Sequence, residues 1–313
     1  MASTGVDAAA VDTAAAVLGT LGQRDVDLGP FCTYRVGGPA ALFVEASSVA
    51  DLERVQDAVE ASGCPTLAVG KGSNLLVADR GFAGIAVHLG SAFEEITIDA
   101  ETATVVAGAG ALLPVVARRS AAAGLTGFEW AVGVPGSIGG AVRMNAGGHG
   151  SDMAANLVEV SVFDLRAGGP TAWSADELDL SYRHSALGPN HLVLWAELAL
   201  APGDAERSSA EISEIVTWRR ANQPGGANAG SVFTNPDGDS AGRLIDALGL
   251  KGFRIGSAEV STKHANFIQA DPGGSADDIV ALIREVRLRV ATAAGIELHV
   301  ENRLVGFDEE EQP

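Results

Sequence analysis

Cysteine, aromatic side chains and positive charge are all scarce in this 313-residue chain. Two cysteines, Cys32 and Cys64, are too few for a disulfide framework or a zinc cluster, and they point to a reducing compartment, the cytoplasm. No apolar run approaches the roughly 18 residues that a membrane-spanning helix needs, and Asp7 and Asp12 stand where a signal peptide would carry Lys or Arg. A soluble protein, retained in the cell and not inserted in a membrane, is expected. Only 21 Lys and Arg stand against 40 Asp and Glu, and a net charge of -19 argues against nonspecific binding to nucleic acid or acidic lipid. The usual nucleotide signatures are missing as well. Gly108-Ala109-Gly110 lacks the third glycine of a dinucleotide fingerprint, and Lys71 precedes Gly72 rather than Ser or Thr, so there is no P-loop.

Glycine, by contrast, is plentiful, and much of it falls in two loops. The longer runs from Val132 to Gly148 as VGVPGSIGGAVRMNAGG, with five glycines and a proline between Gly133 and Gly147. Such a segment resists regular structure and brings bare backbone N–H groups close to a partner. An anion suits that role, above all the pyrophosphate of a nucleotide cofactor. A tight corner between packed strands is the alternative. The shorter loop, Gly70-Lys71-Gly72-Ser73-Asn74, follows a buried strand over Thr66 to Val69.

The length suits two or three compact units. Ser48 to Gly63 reads as a capped helix with Leu52, Val55 and Val59 on one face, and alternates with strands up to Leu89. Two β-rich runs between Glu95 and Gly108, a helix over Leu113 to Ser120, the alternation Val158, Val160, Val162 and the apolar run Leu192 to Leu200 make a second unit with a mixed sheet. A helix from Ser209 to Arg220, the break at Gln223-Pro224-Gly225-Gly226 and two helices at 242–248 and 276–294 mark a third. Residues 1–18 and 308–313 read as frayed tails. The basic residues Arg219, Arg220, Arg243, Lys251, Arg254 and Lys263 concentrate in one region of an acidic chain, which suggests an anionic ligand there.

The two glycine loops resemble the flavin-binding half of the UDP-N-acetylenolpyruvoylglucosamine reductase family. The likeness continues through Tyr34-Arg35-Val36-Gly37-Gly38-Pro39-Ala40, Tyr182-Arg183-His184-Ser185, Gly230-Ser231-Val232-Phe233-Thr234-Asn235-Pro236 and Glu301-Asn302-Arg303-Leu304-Val305-Gly306, in the family's order. The resemblance implies an α+β fold: two FAD-binding subdomains of the vanillyl-alcohol-oxidase (PCMH) type, then a C-terminal α+β substrate domain. Expected bounds are a tail over 1–18, subdomain 1 over 19–89, subdomain 2 over 90–220, the substrate domain over 221–301, and a last segment, 302–313, returning to subdomain 2. The short interval between Arg183 and Ser231 is similar to the family's shorter subclass.

The resemblance also implies noncovalent FAD, NADPH as co-substrate and UDP-N-acetylglucosamine-enolpyruvate as substrate; the sequence leaves the oligomeric state open, with a monomer favoured. It makes Ser231 the proton donor, Arg183 the residue that holds the enolpyruvyl carboxylate as charge grows, and Glu301 a buried acid, with Glu297 the rival carboxylate. Flavin contacts are expected from Arg35, Gly70, Lys71, Gly72, Ser73, Asn74, Gly133, Gly136, Ser137, Ile138, Gly139, Val142 and Asn145. Cys32 stands where the family usually has Asn, and His149 where it often has an aromatic. Two other classes compete: an alcohol or sugar oxidase on the same flavin fold, and a catalytically silent nucleotide-binding protein. Many such oxidases tether flavin through a His in the first loop, and this chain has none there.

Overall fold

The computed structural model describes residues 8–308 and 311. Its first sheet has four strands in the order Gln23–Asp27, Pro39–Ala46, Phe82–Leu89, Thr66–Val69, the last three mutually parallel. Parallel neighbours need a crossover, and helix α2 (Val49–Ser62) supplies one. The Ser48 hydroxyl accepts from the Asp51 N–H at 3.2 Å, Leu52, Val55, Ala58 and Val59 are buried, and Gly63 ends the helix at φ 69°.

The expectation of a frayed N-terminus is corrected by helix α1 (Ala8–Leu18), which packs on α2 with Ala14 and Leu18 fully buried. Residues 1–7 of that expected tail lie outside the described residues. At the other end Asp308 and Glu311 pair with Arg80, so part of the second expected tail is tied down.

The second sheet is wholly antiparallel rather than mixed, in the order Pro170–Ser174, Leu157–Asp164, His191–Ala199, Thr104–Gly108, Ile96–Asp99. Helices α3 (Leu113–Ala122), α4 (Ile138–Arg143) and α5 (Ala205–Asn222) flank its core. Asp204 caps α5, whose first residue, Ala205, comes four residues before the start that the apolar spacing alone suggests. Buried Glu129 fastens α5 to this layer by accepting from the hydroxyls of Thr126 and Ser208. Burial works to raise the pKa of Glu129, but those hydrogen bonds outweigh it and hold the group below the usual range.

The third layer is a small sheet, Arg254–Ile255, Ala258–Val260 and Ile268–Ala270, under α6 (Ala241–Ala247) and α7 (Ala276–Ala294). Its core takes in Tyr34, Val36, Leu76 and Ala78 from the first layer. The Asp79 carboxylate joins the same two layers, accepting from the backbone N–H of Ala276 at 2.9 Å at the start of α7. The last strand, Arg303–Val305, runs parallel to Leu75–Val77. The final segment therefore returns to the first layer and not, as expected, to the second. Three residues carry too little periodicity to indicate which partner they pair with. Among the described residues no helix is long and apolar enough to cross a membrane.

Candidate active site

A cavity of about 220 Å³ opens where five segments converge: Gly70–Leu75, Val134–Gly147, the turn bearing Arg183, Ala229–Ser231 and Glu301–Arg303. Gly70 to Asn74 leave the end of the parallel strand Thr66–Val69. Among the described residues none of their five N–H groups meets a protein acceptor. Gly72 has φ 58°, and a Cβ there would overlap the Phe31 carbonyl oxygen and lie 2.6 Å from the Cys32 Cα. The two glycine loops interlock: a Cβ on Gly70 would stand 3.0 Å from the Ser137 hydroxyl, and one on Gly136 3.0 Å from that of Ser73.

The longer loop is more regular than its composition suggests. Residues Glu129–Gly133 form a 3-10 turn and Ile138–Arg143 the helix α4. The Ile138 and Gly139 N–H groups are already engaged, donating to the carbonyls of Ala111 and Ala109 at 2.9 Å each. Any contact of these two with a cofactor therefore does not use their backbone N–H groups. Gly139 is required instead by packing, because a Cβ would come within 2.9 Å of that of Ala109.

Ile138 and Val142 bury their side chains in the second core, and Gly133 faces His149 and Ile215. Asn145, buried at φ 38°, donates to Ser181 O at 3.0 Å and accepts from the Ala154 N–H at 3.0 Å. These residues shape the wall, while Gly136 and Ser137 line it. Lys71 borders the cavity but pairs with Glu94 at 3.3 Å, and exposed Arg35 lines a separate hollow with Phe31, Cys32 and His88. Burial pushes the Cys32 thiol up to about 12, which leaves it a neutral packing group.

Arg183 sits in a tight turn closed by reciprocal Ser181 and His184 backbone bonds, at φ 58°. A side chain at that φ is strained, and glycine is the usual occupant. What the turn achieves is placement: Arg183 Nε donates to Glu301 Oε1 at 2.7 Å and Nη2 to Gly147 O at 3.2 Å. Burial pushes the Glu301 carboxyl above its usual range, against the opposing pull of that guanidinium. Glu297 is exposed and occupied with Arg287.

Ser231 is held by its neighbours. Buried Asn266 accepts from the Phe233 N–H at 3.0 Å and donates to Phe233 O at 2.8 Å. Asn302 Nδ2 approaches Asn74 Oδ1 at 2.9 Å, Ala229 O at 3.1 Å and Ser231 O at 3.4 Å, while Asn74 donates to Glu301 O at 3.0 Å. One buried amide thus joins the first glycine loop to the segments carrying Ser231 and Glu301. Neither Asn266 nor Asn302 was singled out from sequence, since an isolated Asn in an apolar block carries no spacing signal. Asn302→Leu strands buried acceptors at a cost of about 1 to 3 kcal/mol each. A lowered urea midpoint with unchanged m-value is the expected result.

Ser231 also borders a second hollow of about 450 Å³ lined by Asn235, Arg243, Lys251, Lys263 and His264. The expected basic cluster is thus only partly gathered in that hollow, where Arg243 pairs with Asp239 and Lys251 with Asp246. Arg254 lies outside that hollow and is taken up by Glu259 and Asp271. Arg219 donates to Gln223 at 2.8 Å, and Lys263 bonds the Arg220 carbonyl. His149 stacks edge-on against Trp218 at the cleft edge, and burial, then Arg219, lowers its pKa.

Comparison with known proteins agrees with this arrangement. The FAD binding domain family matches residues 40–170, and the UDP-N-acetylenolpyruvoylglucosamine reductase C-terminal domain matches 222–305. The reductase of that name from Synechococcus sp. (strain RCC307) is 44% identical over 287 residues, covering 91% of this chain and 94% of its own. That of Rubrobacter xylanophilus is 41% identical over 284 residues, covering 90% and 94%. The crystal structure of the Thermus caldophilus reductase superposes with a TM-score of 0.78 at 36% identity, over 91% of this chain and 98% of that one. The free N–H groups and close-packed glycines suit FAD, and the fold is the α+β, PCMH-type flavin fold with a C-terminal α+β domain. This chain is a flavin-dependent oxidoreductase and belongs to the UDP-N-acetylenolpyruvoylglucosamine reductase family.

Proposed function

We propose that the chain reduces UDP-N-acetylglucosamine-enolpyruvate to UDP-N-acetylmuramate, a step of peptidoglycan precursor synthesis, with NADPH as electron source. The observation that carries this reading is the convergence of Arg183, Glu301 and Ser231 on the one cavity walled by the flavin loops. The names of its relatives support it. FAD, held by the glycine loops, would supply two-electron hydride chemistry linking NADPH to C3 of the enol ether.

The side chains supply the rest. Arg183 grips the enolpyruvyl carboxylate and balances the charge that grows there. Ser231 delivers a proton to C2. A serine hydroxyl can do this only where water is excluded and cations stand near, and the buried backbone ties at Asn266 and Asn302 fix its position. Glu301, raised by burial, shares a proton next to the developing charge instead of repelling it. The hollow with Arg243, Lys251 and Lys263 takes the nucleotide diphosphate. In this reading residues 19–89 and 90–220 hold the flavin, residues 221–301 hold the substrate, and the enzyme works as a cytoplasmic monomer.

NADPH oxidation with and without the enolpyruvyl substrate tests the proposal. Substrate-dependent consumption by a yellow protein that releases free FAD on acid treatment is expected. Oxygen uptake driven by an alcohol or sugar, with no response to the enolpyruvyl compound, would instead favour an oxidase. Within this scheme Arg183→Lys keeps the charge but loses the planar fork, so it should lower kcat more than it raises KM. A change confined to KM would make Arg183 a binding residue only.

A further inference from the structure

Two arginines place positive charge on the wall of the 220 Å³ cavity with no carboxylate beside them among the described residues. Arg143 ends α4 and Arg303 opens the last strand; both side chains are half-buried and both line the 220 Å³ cavity. In a chain with 40 acidic and 21 basic residues, Arg80, Arg183, Arg243, Arg254 and Arg287 each find a carboxylate. Among the described residues Arg143 and Arg303 find none. Arg143 donates to the Gly188 carbonyl, and the Arg303 guanidinium meets no acceptor among the described residues.

Burying a cation without a counter-charge is costly, and setting two side by side adds repulsion. The strain registers in Arg143, brought down to about 10 by burial and then by Arg303. The carboxylate on the cavity wall, Glu301, is engaged by Arg183, and the facing loop Gly70–Asn74 presents N–H donors that meet no acceptor among the described residues. Such a concentration of donors and positive charge is completed by an anion with several oxygens.

The position narrows the choice. Arg143 also borders a neighbouring slot of about 100 Å³ lined by apolar Ala68, Val87, Leu187, Leu192 and Val193. It therefore stands between an apolar slot on one side and Arg183, Ser231 and Glu301 on the other. FAD has the same order of parts: an adenosine at one end, the redox ring at the other, and a diphosphate between them. We propose that Arg143 and Arg303 clamp the FAD diphosphate from two sides, neutralising it where the glycine loops supply only dipoles. This rests on the flavin reading of the cavity and is independent of the substrate.

The test is release of FAD from the holoenzyme, without NADPH or substrate, followed by recovery of flavin fluorescence on dilution at several KCl concentrations. Arg143→Gln and Arg303→Gln should each raise the Kd for FAD at least about tenfold, the factor for losing one charge-assisted hydrogen bond. Each should also flatten the salt dependence of log Kd. Arg143→Lys should keep the salt dependence while losing part of the affinity. Displacement of FAD by riboflavin, which has no phosphate, reads the other arm. The variants should bind riboflavin as the wild type does, and Arg118→Gln, on the exposed face of α3, should change nothing. Equal weakening of FAD and riboflavin would place the arginines on the ring or ribityl chain and overturn the proposal. So would unchanged FAD affinity accompanied by weaker binding of the enolpyruvyl substrate, which would assign them to the substrate.

Discussion

Ser231→Ala is expected to leave reduction of the flavin by NADPH within about twofold of wild type while slowing its reoxidation by the enolpyruvyl substrate by about 10² to 10⁴. The asymmetry follows from the chemistry. A proton donor at C2 is needed only when the substrate is reduced, so the first half-reaction has no use for the hydroxyl. The surroundings of Ser231 favour a clean result, because its segment is held through backbone groups by Asn266 and Asn302 rather than through its own side chain. Ser231→Cys should retain part of the activity if a thiol donates from the same place. Stopped-flow measurement of both half-reactions separates the outcomes: equal slowing of the two means a displaced flavin, and an unchanged reoxidation removes Ser231 from the chemistry.

Gly72→Ala should yield protein with almost no bound flavin. A methyl group there collides with the backbone of Phe31 and Cys32, which has no rotamer by which to yield, and φ 58° adds about 1 kcal/mol for any side chain. The loop must move away, and with it five N–H groups and the Asn74 side chain that supports Glu301. Gly63→Ala is the matched control. Gly63 also has positive φ, at 69°, but a Cβ there meets nothing within 4 Å, so flavin content should remain normal with a modest loss of stability. The ratio of flavin to protein absorbance in the purified variants decides it, and full occupancy in Gly72→Ala would refute the close-approach argument.

These contrasts also show what a sequence can and cannot carry. Helices α2 and α7 were legible because Ser48 and Ser275 cap them, Gly63 and Gly295 stop them, and their apolar residues recur at helical spacing. Helix α1 was not, because alanine marks no face and its order comes from docking on α2. In the longer glycine loop composition pointed away from helix, yet tertiary packing against Ala109 decided the outcome at Gly139.

For the site, the motifs identified Ser231, Arg183 and Glu301 as residues to watch, and the fold places all three on one cavity. The Arg183–Glu301 ion pair joins positions 118 residues apart and leaves no local trace. The same holds for the amide ties of Asn302 and for Arg143 and Arg303, which come from distant parts of the sequence to one cavity wall.

The pairing of the last strand with Leu75–Val77 also sets a timetable for the molecule. Asn74 and Asn302, bonded side chain to side chain, are separated by 228 residues, so closing the site is among the least local events in the chain's folding. During synthesis the first two layers emerge early and can form their own cores, before Glu301 and Arg303, which complete the cavity wall, have been made. A chain halted before residue 301 would possess both glycine loops and still have no finished pocket. Flavin uptake should thus wait for residues 301–303, and nascent or clipped chains that lack them should remain colourless.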